Sequence, residues 1–257
     1  MTPSKNPMQR IVLFGATSAI ASAVARELAT PEARLFCVAR DGDALEALLA
    51  DLRVRADDTD STRIQGTTAD LADIDAQAAV WQQAQQALGQ VDGVLLAWGT
   101  LPDQAACEAS VEATLDAIHV NGTSAIALLA RIAPDFERQG RGVIAAIGSV
   151  AGDRGRQSNY AYGTAKGMLA TYLQGLRNRL FFHGVDVVTI KPGFVRTPMT
   201  AGFNRAGALW AEPEAVASGI VKAMRRGREV AYLPWIWRVI MTVIRLLPEY
   251  LFKRLKL

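Results

Sequence analysis

The sequence predicts an α/β protein built on a doubly wound parallel sheet, and three observations carry that expectation. Short apolar runs alternate with longer segments of helical period along most of the chain. The runs are apolar throughout, as strands covered on both faces require, rather than alternating apolar with polar. The first of them, in "IVLFGATSAIA", closes on a glycine turn, the place where such sheets receive a ligand beyond their strand ends.

In order, the predicted strands are Ile11–Phe14, Leu35–Ala39, Arg63–Thr67, Val91–Trp98, Gly142–Ile147, Val185–Ile190 and Glu229–Leu233, with helices between them. Strict strand–helix alternation of this kind is the pattern of a Rossmann architecture. No repeat, low-complexity tract or linker interrupts it. The reading is therefore a single domain over residues 10–233, with a loose tail over 1–9 and a basic amphipathic segment over 234–257.

A composition that is half apolar and about one fifth charged excludes a disordered or fibrous chain. Cys37 and Cys107 stand apart, without a nearby histidine or second cysteine, so reduced thiols and no metal site are expected. The opening "MTPSKNPMQR" lacks the apolar core of a secretory signal, and a cytoplasmic location is expected. Nine Lys/Arg against two Glu over residues 222–257 give a local +7, which leaves −4 elsewhere from the net +3. No nucleic-acid partner is read from this distribution, and a homo-oligomer is expected.

The glycine turn is the candidate phosphate cradle. Gly15 would make the tight turn, Thr17 follows with a small polar side chain, and Ser18 is placed to cap the next helix. Ala19 and Ala21 occupy positions where a cradle usually has glycine. Ala21 fits where helix packs on strand; the Ala19 methyl would point toward a bound group. The second strand ends in Ala39–Arg40 with no carboxylate at its tip. An arginine there accommodates a 2′-phosphate, which favours NADP(H), while Asp41 next to it leaves NAD(H) open.

The stretch "IGSVAGDRGRQSNYAYGTAKGML" puts Ser149 at a strand end and Tyr162 and Lys166 four residues apart, on one face of a helix. Tyr-x-x-x-Lys is expected by accident at about 0.1 per sequence of this make-up, and with a serine thirteen residues earlier at about 0.004. Tyr160 has Thr164 four residues on and is no rival. A ketone reduced by hydride needs a proton on its oxygen. A phenol with a reference pKa near 10 suits that task when an ammonium lowers it, and a hydroxyl polarises the carbonyl. His119 and His183 read as structural or surface residues.

With these motifs in place, residues 10–233 resemble the short-chain dehydrogenase/reductase family. The resemblance implies catalysis by Asn121, Ser149, Tyr162 and Lys166, with Asn121 holding a water that relays protons to Lys166. It also implies a cofactor site made by Gly15, Thr17, Ser18, Ala19, Ile20, Arg40, Asp70, Leu71, Gly99, Tyr162, Lys166, Pro192, Gly193, Val195 and Thr197. Asp70 would contact the adenine, Lys166 would hold the nicotinamide ribose, and "KPGFVRTPM" would lie beside the nicotinamide. Of the family's Asn-Asn-Ala-Gly, "LAWG" keeps only Gly99.

The C-terminal segment recurs in polar residues at Arg238, Thr242, Arg245, Glu249, Lys253 and Lys256, a narrow stripe on a helix opposite a broad apolar face. Charges are too frequent for a membrane span, and a basic amphipathic helix kinked at Pro248 suits the inner surface of a membrane. A lid over the substrate cleft or a subunit contact is the competing reading. The segment, together with "AWGTL", "SVAGDRGR" and "YGTAKG", resembles one branch of the family, the decaprenylphosphoryl-2-keto-pentose reductases. That resemblance implies a 2-keto sugar on a polyprenyl phosphate as substrate and a flavin-dependent oxidase as partner. Two other readings stand beside it: a soluble reductase of small or acyl-chain carbonyls, and a dinucleotide-binding sensor or scaffold without turnover.

Overall fold

The computed structural model describes residues 8–203 and 207–255. The expected loose tail lies outside them except for Met8 and Gln9, and so does Lys256 of the polar stripe. In chain order the elements are β1 (Arg10–Phe14), α1 (Ala19–Leu28), β2 (Arg34–Ala39), α2 (Gly42–Arg55), β3 (Ile64–Thr68), α3 (Ala76–Leu88), β4 (Gly93–Leu96), α4 (Gln104–Ala109) and α5 (Val111–Ile118). A π-helical turn, His119–Thr123, leads into α6 (Ser124–Gln139) and then β5 (Gly142–Ile147). A 3₁₀ turn, Val150–Asp153, precedes α7 (Tyr160–Phe181). Then come β6 (Val185–Pro192), β7 (Phe194–Val195), β8 (Trp210–Ala211), α8 (Pro213–Arg225), β9 (Val230–Leu233), α9 (Ile236–Leu246) and α10 (Glu249–Phe252).

Seven strands form one parallel sheet in the order β3-β2-β1-β4-β5-β6-β9. The order reverses between β1 and β4, and beyond the carboxyl ends of these strands lies the crevice of a doubly wound sheet. Alternate side chains of each strand feed two cores. Ile11, Leu13, Leu35 and Leu95 pack under α1, α2 and α8. Val12, Phe14, Val94 and Leu96 pack under α3, α6 and α7.

Two expectations need correction. The fourth strand is Gly93–Leu96, shorter than 91–98; Asp92 just before it accepts from the Arg10 amide at 3.0 Å and pairs with its guanidinium at 3.2 Å. The sequence also gives no sign of the two-residue pair β7–β8, in which Val195 meets Ala211. The amphipathic segment is two helices instead of one, because Leu247 takes an extended conformation before Pro248. Among the described residues no helix is long and apolar enough to cross a membrane.

Candidate active site

Gly15 has φ +78°, and a Cβ there would stand 2.7 Å from the Trp98 nitrogen, so the turn between β1 and α1 closes only with glycine. Its N–H and that of Ala16 donate to the Val38 carbonyl at 2.8 and 2.9 Å, tying the turn to β2. Ser18 caps α1, accepting from the Ala21 N–H at 3.3 Å. Ala19 and Ile20 then open the helix with N–H groups that have no intrahelical carbonyl to meet, beside Thr17. Ala21 is buried between helix and sheet, so its methyl belongs to the core; Ala19 is only half-buried at the first helical position.

Farther along the strand ends, Arg40 is exposed past β2, while the Asp41 carboxylate caps α2 by accepting from the Ala44 N–H at 3.1 Å. Asp70 is exposed beyond β3 and accepts from the Ala72 N–H at 2.9 Å; Leu71 beside it is buried.

The catalytic candidates converge around Gly99. A Cβ on Gly99 would lie 2.6 Å from Asn121 Oδ1 and 3.5 Å from Lys166 Nζ. Asn121, 1 % exposed on the π-helical turn, accepts from the Thr100 N–H at 3.0 Å and donates to the Ala117 carbonyl at 2.9 Å. Its side-chain amide is thus engaged in holding Gly99–Thr100. Lys166, 4 % exposed on α7, donates to the Ile147 carbonyl at 3.2 Å, and its Nζ stands 5.7 Å from the Tyr162 ring centre. The Ser149 hydroxyl accepts from the Ala151 N–H at 3.1 Å and faces the Tyr162 phenol, on which it exerts a downward pull. A Cβ on Gly152 would meet the Lys166 carbonyl carbon at 2.6 Å, so the loop after Ser149 lies directly on the α7 backbone.

Electrostatics departs from the expectation that Lys166 lowers Tyr162. Burial pushes the phenol up to about 12, with the Ser149 hydroxyl opposing, and burial brings the lysine down to about 8. Desolvation is the leading cause of both shifts.

Pro192 ends β6, and the Gly193 N–H donates to the Leu233 carbonyl at 3.0 Å. Val195 is buried in the β7–β8 pair, and the Thr197 N–H donates to Thr200 Oγ1 at 3.2 Å. His119 spends both ring nitrogens on Thr123 Oγ1 and the Ala72 carbonyl, at 2.9 and 2.8 Å, and His183 pairs with Glu137 at the surface. Two residues beside the site went unread in the sequence. Trp98 backs the Gly15 turn and donates to Ser124 Oγ at 3.2 Å, and Trp237 of α9 lies against Gly193 so closely that a Cβ there would overlap its indole nitrogen.

A dinucleotide-type crevice with a serine, tyrosine and lysine at its edge defines an oxidoreductase of the Rossmann class. The short chain dehydrogenase family profile matches residues 9–207, and the chain belongs to that family. An uncharacterized oxidoreductase of Mycobacterium tuberculosis is 33 % identical over 245 residues, covering 95 % of this chain and 96 % of that protein. Levodione reductase superposes with a TM-score of 0.78 at 20 % identity, covering 89 % of this chain and 96 % of the other. An actinorhodin polyketide ketoreductase variant solved with NADPH gives 0.75 at 22 %, covering 88 % and 95 %. The protein is an oxidoreductase of this family, whose members use NAD(P)(H). The residues present fit such a group: the side-chain-free turn at Gly15 and the open N-terminus of α1 make a cradle for a pyrophosphate.

Proposed function

We propose that this protein uses NADPH to reduce a ketone to a secondary alcohol, and that the ketone is a 2-keto sugar carried on a polyprenyl phosphate. The observation that carries the chemistry is Tyr162 with Lys166 Nζ 5.7 Å from its ring centre and the Ser149 hydroxyl facing its phenol. When bound, the dinucleotide supplies the hydride. Tyr162 Oη holds its proton at neutral pH and gives it to the carbonyl oxygen as charge develops there. Ser149 donates to the same oxygen and polarises it. Lys166 is protonated below about pH 8 and stabilises the phenolate left behind. Asn121 keeps Gly99 against the lysine. The π-turn around it leaves main-chain carbonyls short of their usual donor, and a water held there would return the proton from solvent.

Arg40, exposed at the tip of β2 beside an Asp41 already engaged as a helix cap, supports NADPH over NADH. The lipid-linked substrate is supported by the outward face of α9 and α10. Trp235, Val239, Val243, Leu246 and Tyr250 are exposed there, with Arg238, Arg245, Lys253 and Arg254 around them, as a helix lying on an anionic membrane surface requires. A flavin-dependent oxidase would supply the ketone.

The test supplies a polyprenyl-phosphate ribose oxidised by a flavin enzyme and follows NADPH and NADH consumption separately. Fast NADPH oxidation that Tyr162→Phe abolishes, with NADPH binding retained, is expected; full turnover by that variant refutes the mechanism. Flotation with anionic vesicles tests the tail, and a protein that stays at the bottom of the gradient refutes membrane binding.

A further inference from the structure

Besides the exposed stripe, α9 and α10 have an inner face, and it meets both the loop that follows Ser149 and the Gly193–Phe194 segment. Trp237, 3 % exposed, lies against Gly193 and edge-on to the Phe194 ring, centres 4.9 Å apart at 84°. Its indole N–H is buried without a partner, a cost that burial of the ring must offset. Met241 and Ile240 continue this contact onto Val150, the residue after Ser149.

Arg154, in the same loop, fixes the other end. One nitrogen, Nη1, donates to the carbonyls of Ile244 and Leu247, both at 2.6 Å, closing the last turn of α9. The other, Nη2, pairs with Glu249 at 2.8 Å, and the guanidinium lies 3.7 Å over the Phe252 ring. A buried pair completes the frame. Asp153 accepts from Lys191, the residue before Pro192, and from the Tyr232 hydroxyl at 2.7 Å. One short loop, Ser149–Arg154, is therefore bolted to β6, β9, α9 and α10 at once.

We propose that the C-terminal helical pair is a wall of the active site, with Arg154 and Trp237 as positioning residues. Arg154 latches α9 and α10 onto the Ser149 loop, and Trp237 holds the Gly193–Phe194 backbone in place. The proposal rests on Ser149, Tyr162 and Lys166 being the reacting set, and is independent of any lipid-linked substrate.

The experiment compares full-length Arg154→Met, Arg154→Lys and Trp237→Phe with the parent at a temperature where each is folded. Amide exchange is read over residues 149–154, 192–195 and 236–247, together with NADPH affinity and steady-state reduction of 2-decanone. In Arg154→Met, exchange should rise at least about tenfold in α9 and about threefold at 149–154. A displaced Ser149 should lower kcat by about tenfold or more, with NADPH affinity and KM for NADPH within about twofold. Lysine restores part of kcat because it can still meet one carbonyl. Trp237→Phe removes the orphan donor, so it should keep thermal stability while exchange at 192–195 rises and kcat falls.

Unchanged exchange at 149–154 and 192–195 in both folded variants overturns the proposal, whatever the substrate. Full kcat alongside a lowered melting temperature does the same, marking Arg154 as merely structural. Tyr162→Phe run in parallel separates the two readings. If 2-decanone reduction survives it, the reductase assignment of Tyr162 fails, while the exchange data still decide the wall.

Discussion

Replacing Lys166 by methionine separates what the fold needs from what the reaction needs. The ammonium is nearly sealed from water, and burial brings it from 10.5 down to about 8. The unfolded chain therefore holds that proton more tightly than the native one, so stability rises with pH between about 8 and 10.5. At pH 7 the lysine is charged in both states and the native state bears the whole difference, about 3 kcal/mol. Methionine has similar length and no charge, and removes that cost. It also leaves the Ile147 carbonyl without its donor, which returns about 1 kcal/mol. The net expectation without cofactor is a gain of about 2 kcal/mol, or about 4–8 °C in melting temperature for a chain of this size. Thermal and urea unfolding at pH 7 and pH 10.5 measure it. The advantage should shrink with rising pH and change sign near 10.5, where the lysine is neutral on folding and only the lost hydrogen bond counts. Turnover should be lost at every pH. A variant less stable than the parent at pH 7, or a gap that does not move with pH, refutes the reasoning.

Gly15→Ala should cost about 3 kcal/mol in urea unfolding and weaken NADPH binding, because the residue sits at φ +78° and its methyl would press on the Trp98 backbone; unchanged affinity would count against the cradle. Arg40→Asp should shift the ratio of kcat/KM for NADPH over NADH by about ten- to a hundredfold toward NADH, as loss of one charge-assisted contact implies. A ratio that stays put would remove Arg40 from the cofactor site.

Most strands were legible because they are apolar along their length, β3 with its Ile-Gln-Gly-Thr-Thr only through the alternation around it, and Tyr162 and Lys166 were legible because a spacing of four shares a helix face whatever else the chain does. Contacts between distant segments were not. Nothing near Gly15 announces that Trp98, 83 positions away, presses on it, and nothing in "SVAGDRGR" says that Arg154 closes a helix 90 positions on. The widened turn at Asn121 leaves no mark in periodicity, since five residues are too few to show one. The tail's stripe gave the exposed polar residues from Arg238 to Lys253 correctly. It could not say that the apolar arc divides, with Trp237 and Met241 inward and Val239 and Val243 outward, because that depends on what the helix lies against. Tyr162 shows the same limit: residue types suggest a lowered phenol, and burial, set by the whole fold, decides otherwise.

The two cores on either side of the sheet carry different halves of the job. The Gly15 turn and α1 stand on the one built with α2 and α8; α7, which carries Tyr162 and Lys166, stands with α6 on the other. The halves can therefore drift apart at separate rates, since a substitution absorbed by one core leaves the other's geometry alone. A chain built this way can exchange glycines for alanines at its nucleotide end while its Ser, Tyr and Lys stay in register, which is the unevenness this sequence displays.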